Sequence, residues 1–277
     1  MTTLWSSSSE AAWQTIWTRY DEVMQSKEND LAALDSWYLA SFPPILHARQ
    51  PEPYVTKLEL QQLMKWKLKK GKWRPQLMKY VSGLSAKEVK QASLNAYNKL
   101  KCGDLRAATE AFCTLKGVGP ATASALLAAY DPTVPFMADE ALEAIAAIIG
   151  PRKYTLPHFI NFAEQLRGKA KWLNEQRAAN RSKKVGNTQF WTSQRVQLCL
   201  YIEANDKVSP GTTLSTKSAA SPAKRKRVQA PTSPRVEKRK TITEERVRND
   251  DQMLRRSQRK ANVLKTSGTI NQGSHSY

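Results

Sequence analysis

Cysteine is scarce in this chain: Cys102, Cys113 and Cys199 are widely spaced among 277 residues and never form a CxxC unit. A four-cysteine iron–sulfur cluster and a structural zinc site are therefore unsupported. An odd number of thiols set in apolar helical patterns reads as reduced, buried cysteines of an intracellular protein. Histidine is equally thin. His47, His158 and His275 are scattered without helically spaced acidic partners, so no metal and no cofactor is expected, and His47 and His158 read as structural. Long apolar runs are missing as well. The opening MTTLWSSSSEAAW has no basic region followed by an apolar stretch, and no segment stays apolar long enough to span a bilayer, so neither secretion nor membrane insertion is expected. Period-two alternation is absent over any useful length, which leaves no convincing strand. No internal repeat is evident.

Acidic residues are in deficit, 24 against 44 Lys and Arg, for a net charge of +20. The excess is uneven. Residues 207–277 carry 17 basic and 5 acidic side chains, net +12, and residues 1–206 carry 27 and 19, net +8. From Ser209 the composition turns to Ser, Thr, Pro and clustered charge, with hardly an aromatic before Tyr277. Such a segment buries too little apolar surface to offset its ordering entropy, so 207–277 is expected to be a disordered basic tail.

Up to residue 206 the apolar period is helical. After Ser9, a candidate N-cap, Trp13, Ile16, Trp17, Tyr20 and Met24 recur at three- and four-residue steps. Leu31, Leu34, Trp37 and Tyr38 do the same before Pro43-Pro44, read as the end of the second helix. Thr56 with Glu59, and Ser85 with Glu88, have the spacing of capping boxes. Gly71, Gly83, Gly103, Gly150 and Gly168 fall where helices should stop, and Pro75, Pro120 and Pro157 where first turns begin. The expectation is an all-α, multi-helix globular domain over 1–206, with eight to ten helices.

Within it, Phe112 and Leu115 precede Gly117-Val118-Gly119, and Pro120 opens an apolar helix with Ala123, Leu126 and Leu127. This is the pattern of a helix-hairpin-helix. Glycines without Cβ atoms let a phosphate approach the turn, while free N–H groups of the next helix's first turn point at it. Gly117, Val118, Gly119 and Ala121 are the expected contacts. A tight turn serving packing alone is the plainer alternative. Such a grip carries no sequence information; it holds DNA for something else to act.

LKGVGPATASALL resembles the hairpin of the helix-hairpin-helix DNA glycosylase superfamily, base-excision enzymes that follow the hairpin with a Gly/Pro loop and an aspartate. Twenty residues separate Gly119 from Asp139, a spacing similar to the family's, and the resemblance implies that Asp139 is the catalytic carboxylate. A carboxylate there can stabilise the positive charge that builds on deoxyribose, or orient a water, once the base is flipped out. Where strand-nicking members carry a lysine, two residues after the second glycine, this chain has Ala121. A lyase using that lysine is excluded, and a monofunctional, hydrolytic route is implied. The residue five positions past the aspartate, basic in many members, is Ala144 here. Read without the resemblance, Asp139 equally suits an N-cap or first-turn acid ahead of Leu142, Ile145, Ile148 and Ile149.

A second basic stretch, KWKLKKGKWRP, holds Lys65, Lys67, Lys69, Lys70, Lys72 and Arg74 around Trp66 and Trp73. Its cations suit phosphates, and an exposed tryptophan suits a base or a gap left by flipping. The alternative is a core-facing helix with a solvated lysine face. In the tail, Lys224, Arg225, Lys226 and Arg227 have the compact form of a nuclear localisation signal, and Lys238, Arg239 and Lys240 repeat it. A nuclear location, a nuclear import receptor and duplex DNA are the expected address and partners. The leading expectation is a nuclear protein that grips duplex DNA through the hairpin. Two further readings stay open: an active monofunctional glycosylase using Asp139, and a non-enzymatic interaction module of a chromatin or nuclear complex.

Overall fold

The computed structural model describes residues 3–27, 29–179 and 190–206. Lys224–Arg227, Lys238–Lys240 and the rest of the expected tail lie outside them. The helices are α1 (Glu10–Thr18), α2 (Tyr20–Gln25), α3 (Asn29–Ser36), α4 (Phe42–Ala48), α5 (Lys57–Lys70), α6 (Pro75–Ser82), α7 (Ala86–Lys101), α8 (Leu105–Cys113), α9 (Pro120–Tyr130), α10 (Asp139–Ala144), α11 (Ala146–Ile149), α12 (Leu156–Ala179) and α13 (Ser193–Asn205). No strand forms among the described residues.

Side chains three residues apart start these helices. Ser9 accepts the Ala12 N–H, and Thr56/Glu59 and Ser85/Glu88 form reciprocal capping boxes, each satisfying two N–H groups that the helix cannot. Asp104 caps α8 through the Ala107 N–H at 2.8 Å, and Pro75 and Pro120 stand first in α6 and α9.

Among the described residues thirteen α-helical segments replace the expected eight to ten, because the apolar period runs on across backbone breaks. Arg19 (φ −91°, ψ 3°) divides α1 from α2, and Ile145 (φ −112°, ψ 13°) divides α10 from α11. A π-helical turn, Trp37–Ser41, joins α3 to α4, so Pro43 and Pro44 lie in the first turn of α4 instead of ending a helix. Gly168 was expected at a helix end and lies inside α12. The buried series Phe159, Phe162, Ala163, Leu166, Ala170 and Leu173 carries that helix through it.

The middle of the core is α9, whose residues Ala121–Ala129 are all buried. A helix apolar on every side has to be surrounded, and α4, α5, α8 and α12 surround it. Two tyrosines pin it from outside: Tyr38 donates to the Ala125 carbonyl at 2.9 Å and Tyr97 to that of Leu126 at 3.2 Å. Both rings are wholly buried, and burial pushes both phenols above their ordinary range. Trp13 and Trp191 meet edge to face at 6.4 Å where α1 joins α13.

The cysteines differ from expectation. Cys199 is buried, but Cys113 is half-buried, its thiol pushed up to about 11 by burial, and Cys102 is exposed because it lies just past the end of α7. Among the described residues no helix is long and apolar enough to cross a membrane.

Candidate functional site

Between α8 and α9 the chain turns through Thr114–Gly119. The two glycines of this turn do different work. Gly117 sits at φ +87°, and a Cβ there would lie 2.7 Å from the Tyr80 Cβ on α6, so its missing side chain serves backbone angle and packing. Gly119 is extended (φ −107°, ψ −178°), and a Cβ built on it meets nothing within 4 Å. Its open face can therefore admit a phosphate. The Thr122 and Ala123 N–H groups both donate to the Gly119 carbonyl at 2.9 Å. Those of Gly119 and Ala121 have no partner among the described residues, and Pro120 has no N–H. Two donors at the positive end of the α9 dipole thus have no protein partner among the described residues. The Val118 and Ala121 side chains are buried, which leaves any contact at these positions to their backbone. Lys116, within the turn, has its ammonium 4.9 Å from the Tyr80 ring centre.

The basic stretch separates into inward and outward groups. Trp66 is 1% exposed, stacks on Tyr38 at 3.7 Å and donates from Nε1 to Asp35 at 2.8 Å. It therefore cannot stack on a base, because it faces the core from α5. Lys70 is buried too. Its ammonium bonds Asp35 at 2.8 Å and lies 3.9 Å from the Tyr201 ring centre, so it is a core cation and no phosphate contact. Lys69 pairs with Asp30 at 2.8 Å on the surface. Lys65 is exposed on α5. After Gly71 ends that helix, Lys72, Trp73 and Arg74 are all exposed, Trp73 by 59%. Of the two tryptophans only Trp73 is open to solvent.

Asp139 reaches its place through an anchored loop. Asp131 accepts the Thr133 N–H at 2.8 Å, the Gln194 N–H donates to the Pro132 carbonyl at 3.1 Å, and the Met137 N–H donates to Ser124 Oγ of α9 at 2.9 Å. Ala138 is then the N-cap of α10 and Asp139 its first residue, without a side-chain capping bond. Tyr154 donates to Asp139 Oδ1 at 2.6 Å, and Arg152 lies 3.3 Å from Oδ2 and 3.3 Å from Glu143. The carboxylate is oriented from one side and remains about a third exposed. Burial, with the Asp139 carboxylate second, raises the Tyr154 phenol above its ordinary range.

Some of these residues line one small cleft, with about 40 Å³ of free volume. Lys67, Lys72 and Arg74 come from α5 and its loop, Ala121 from α9, Phe136 and Met137 from the anchored loop, and Asp139 and Tyr154 face them. Glu140 lines it as well, its carboxyl held above the usual range chiefly by burial. Lys67 is half-buried, and desolvation, helped by Arg74 and opposed by Asp139, lowers its ammonium below the ordinary lysine value. Sequence reasoning missed Arg152, Tyr154 and Glu140. The only signal was the Arg152-Lys153-Tyr154 run after Gly150-Pro151. No family model, curated protein or solved structure matches the chain.

Proposed function

We propose that this protein grips the backbone of duplex DNA and excises a base from it without a hairpin lysine, in the manner of a monofunctional helix-hairpin-helix glycosylase. One observation carries the reading: Ala121 in the first turn of α9, the cations at and after the end of α5 and Asp139, far apart in sequence, line one cleft. The Gly119 and Ala121 N–H groups hold a phosphate. Lys72 and Arg74 neutralise its neighbours, and Trp73 enters the space that a flipped nucleotide vacates. Asp139, held by Tyr154, faces the sugar and stabilises the charge that develops as the glycosidic bond breaks. The basic clusters at Lys224–Arg227 and Lys238–Lys240 address the protein to the nucleus through an import receptor.

The test is base release from duplexes that each carry one modified or mismatched base, with the full chain and Asp139→Asn in parallel. Excision by the wild type should fall by about 10²-fold or more in the variant. The existing ties of Asp139 to Tyr154 and Arg152 favour a second reading, in which it is a first-turn structural acid. Duplex binding with no base release from any substrate would establish that reading: a backbone-gripping protein that does no chemistry. Binding that falls steeply with salt and is indifferent to Gly119→Ala would instead favour a basic interaction module.

A further inference from the structure

More positive charge lines the cleft than its acids offset. On α5, Lys69 is tied to Asp30 and Lys70 to Asp35, whereas the half-buried Lys67 ammonium has no hydrogen bond or ion pair among the described residues. Lys67, Lys72 and Arg74 line the cleft together, and Arg74 lies near enough to disfavour the charge on Lys67. Its guanidinium is held 5.5 Å from the Tyr154 ring centre. The carboxyls of the cleft give little relief. Asp139 is bonded to Tyr154 and paired with Arg152, and burial holds Glu140 toward its neutral form. A half-buried cation without a partner is costly, and an anion entering from solvent removes that cost.

The size of the cleft narrows the choice of anion. About 40 Å³ of free volume is room for about three waters. Three oxygens on one phosphorus match that space, whereas a phosphodiester inside a strand offers two and is held at the surface by a sugar on each side. We propose that the cleft is a site for a phosphate monoester, and that its ligand is the terminal phosphate of a DNA strand at a nick or an end. The proposal rests on the duplex-gripping part of the reading above and adds where along a duplex the protein settles. Lys67 meets the phosphate from α5, and Lys72 and Arg74 meet it from the loop that follows, the arginine fork taking two oxygens. A terminal phosphate carries a charge of about −1.5 to −2 at pH 7, so these cations favour it over the single charge of a phosphodiester. No bond is made or broken.

The test uses the full chain and duplexes of one sequence that are unbroken or carry a central nick, its terminus phosphorylated on the 5′ side, on the 3′ side or on neither. Binding is followed by fluorescence anisotropy at fixed salt. One phosphorylated nick should bind about 10-fold or more tightly than the hydroxyl nick, and Lys67→Gln should erase that preference. In the wild type, acylation of lysines mapped by mass spectrometry should show Lys67 protected by that phosphorylated nick and not by the hydroxyl nick, which keeps the test decisive should the variant fold poorly. Equal affinity for all nicks, a preference unchanged in Lys67→Gln, or Lys67 left unprotected overturns the inference and leaves the grip on duplex DNA standing. Protection of Lys67 by phenyl phosphate without any preference for phosphorylated nicks overturns the DNA terminus as the ligand and assigns the cleft to a free phosphate monoester. Failure to bind any duplex overturns both the inference and the reading it rests on.

Discussion

Replacing Gly117 and Gly119 by alanine, one at a time, separates the packing function of the turn from its proposed phosphate grip. At Gly117 an alanine must hold φ +87° with its Cβ 2.7 Å from the Tyr80 Cβ. The left-handed backbone costs about 1–2 kcal/mol. The overlap is with an atom next to the α6 backbone, which cannot swing away as a side-chain end would, and such overpacking costs about 1–3 kcal/mol. Gly117→Ala should therefore lose about 2–5 kcal/mol of stability, read as a lower urea midpoint by tryptophan fluorescence. Gly119 has extended backbone and open space around its Cα, so Gly119→Ala should keep its stability or gain up to about 1 kcal/mol. The added methyl group nevertheless stands where a phosphate would approach the Gly119 N–H. Loss of one charge-assisted hydrogen bond, about 1.5–3 kcal/mol, should weaken duplex binding by roughly 10- to 100-fold. A Gly117→Ala protein as stable as wild type would refute the packing account. A Gly119→Ala protein that binds duplex as tightly as wild type would refute the grip.

Three further outcomes are expected. Asp35→Leu strands the buried Lys70 ammonium and should cost about 3–5 kcal/mol in chemical denaturation, whereas adding Lys70→Met should recover part of that loss; a double variant no better than the single would contradict the pairing. Burial raises the folded-state Glu140 carboxyl above its ordinary value of 4.5, so its contribution to stability is fully present below that pH and is lost as pH rises through the folded value. The stability of wild type relative to Glu140→Gln should thus decline from pH 4 upward, and a flat difference between the two unfolding curves would count against it. Trp73→Ala, at an exposed site, should change stability by no more than about 0.5 kcal/mol yet weaken binding to a duplex with an unstacked position by about 1–3 kcal/mol; equal affinities by anisotropy would remove Trp73 from the interface.

What could be read in the sequence was local. Thr56 with Glu59 and Ser85 with Glu88 were legible because a capping box needs only two residues three apart and a free N–H. Gly168 misled because a glycine ends a helix only where the following chain departs, and the buried stripe on both sides of it keeps α12 running. The meeting of Asp139 with the cations after α5 was not legible, since the resemblance related the aspartate to the turn alone and nothing in the sequence related it to α5. Tyr154 and Arg152 were not, because they reach Asp139 over a break at Gly150 that no period spans. Trp66 and Trp73 look alike in a basic sequence. Only the fold puts one against Tyr38 and the other in solvent.

The crowding of cations between Lys65 and Arg74 suggests mutual repulsion that an anionic partner must relieve, and the fold reduces that demand without removing it. Asp30 takes Lys69 and Asp35 takes Lys70, and the negative end of the α5 dipole favours all three lysines of its last turn. Lys65, Lys67, Lys72 and Arg74 remain; the last three border the cleft, and Lys65 is exposed on α5. Across from them, Asp139 is already offset by Arg152, and Glu140 is held toward its neutral form. Three of the four uncompensated cations are therefore at the cleft. On the proposed reading, this edge of the molecule, next to Ala121 at the start of α9, is where a phosphate would be met.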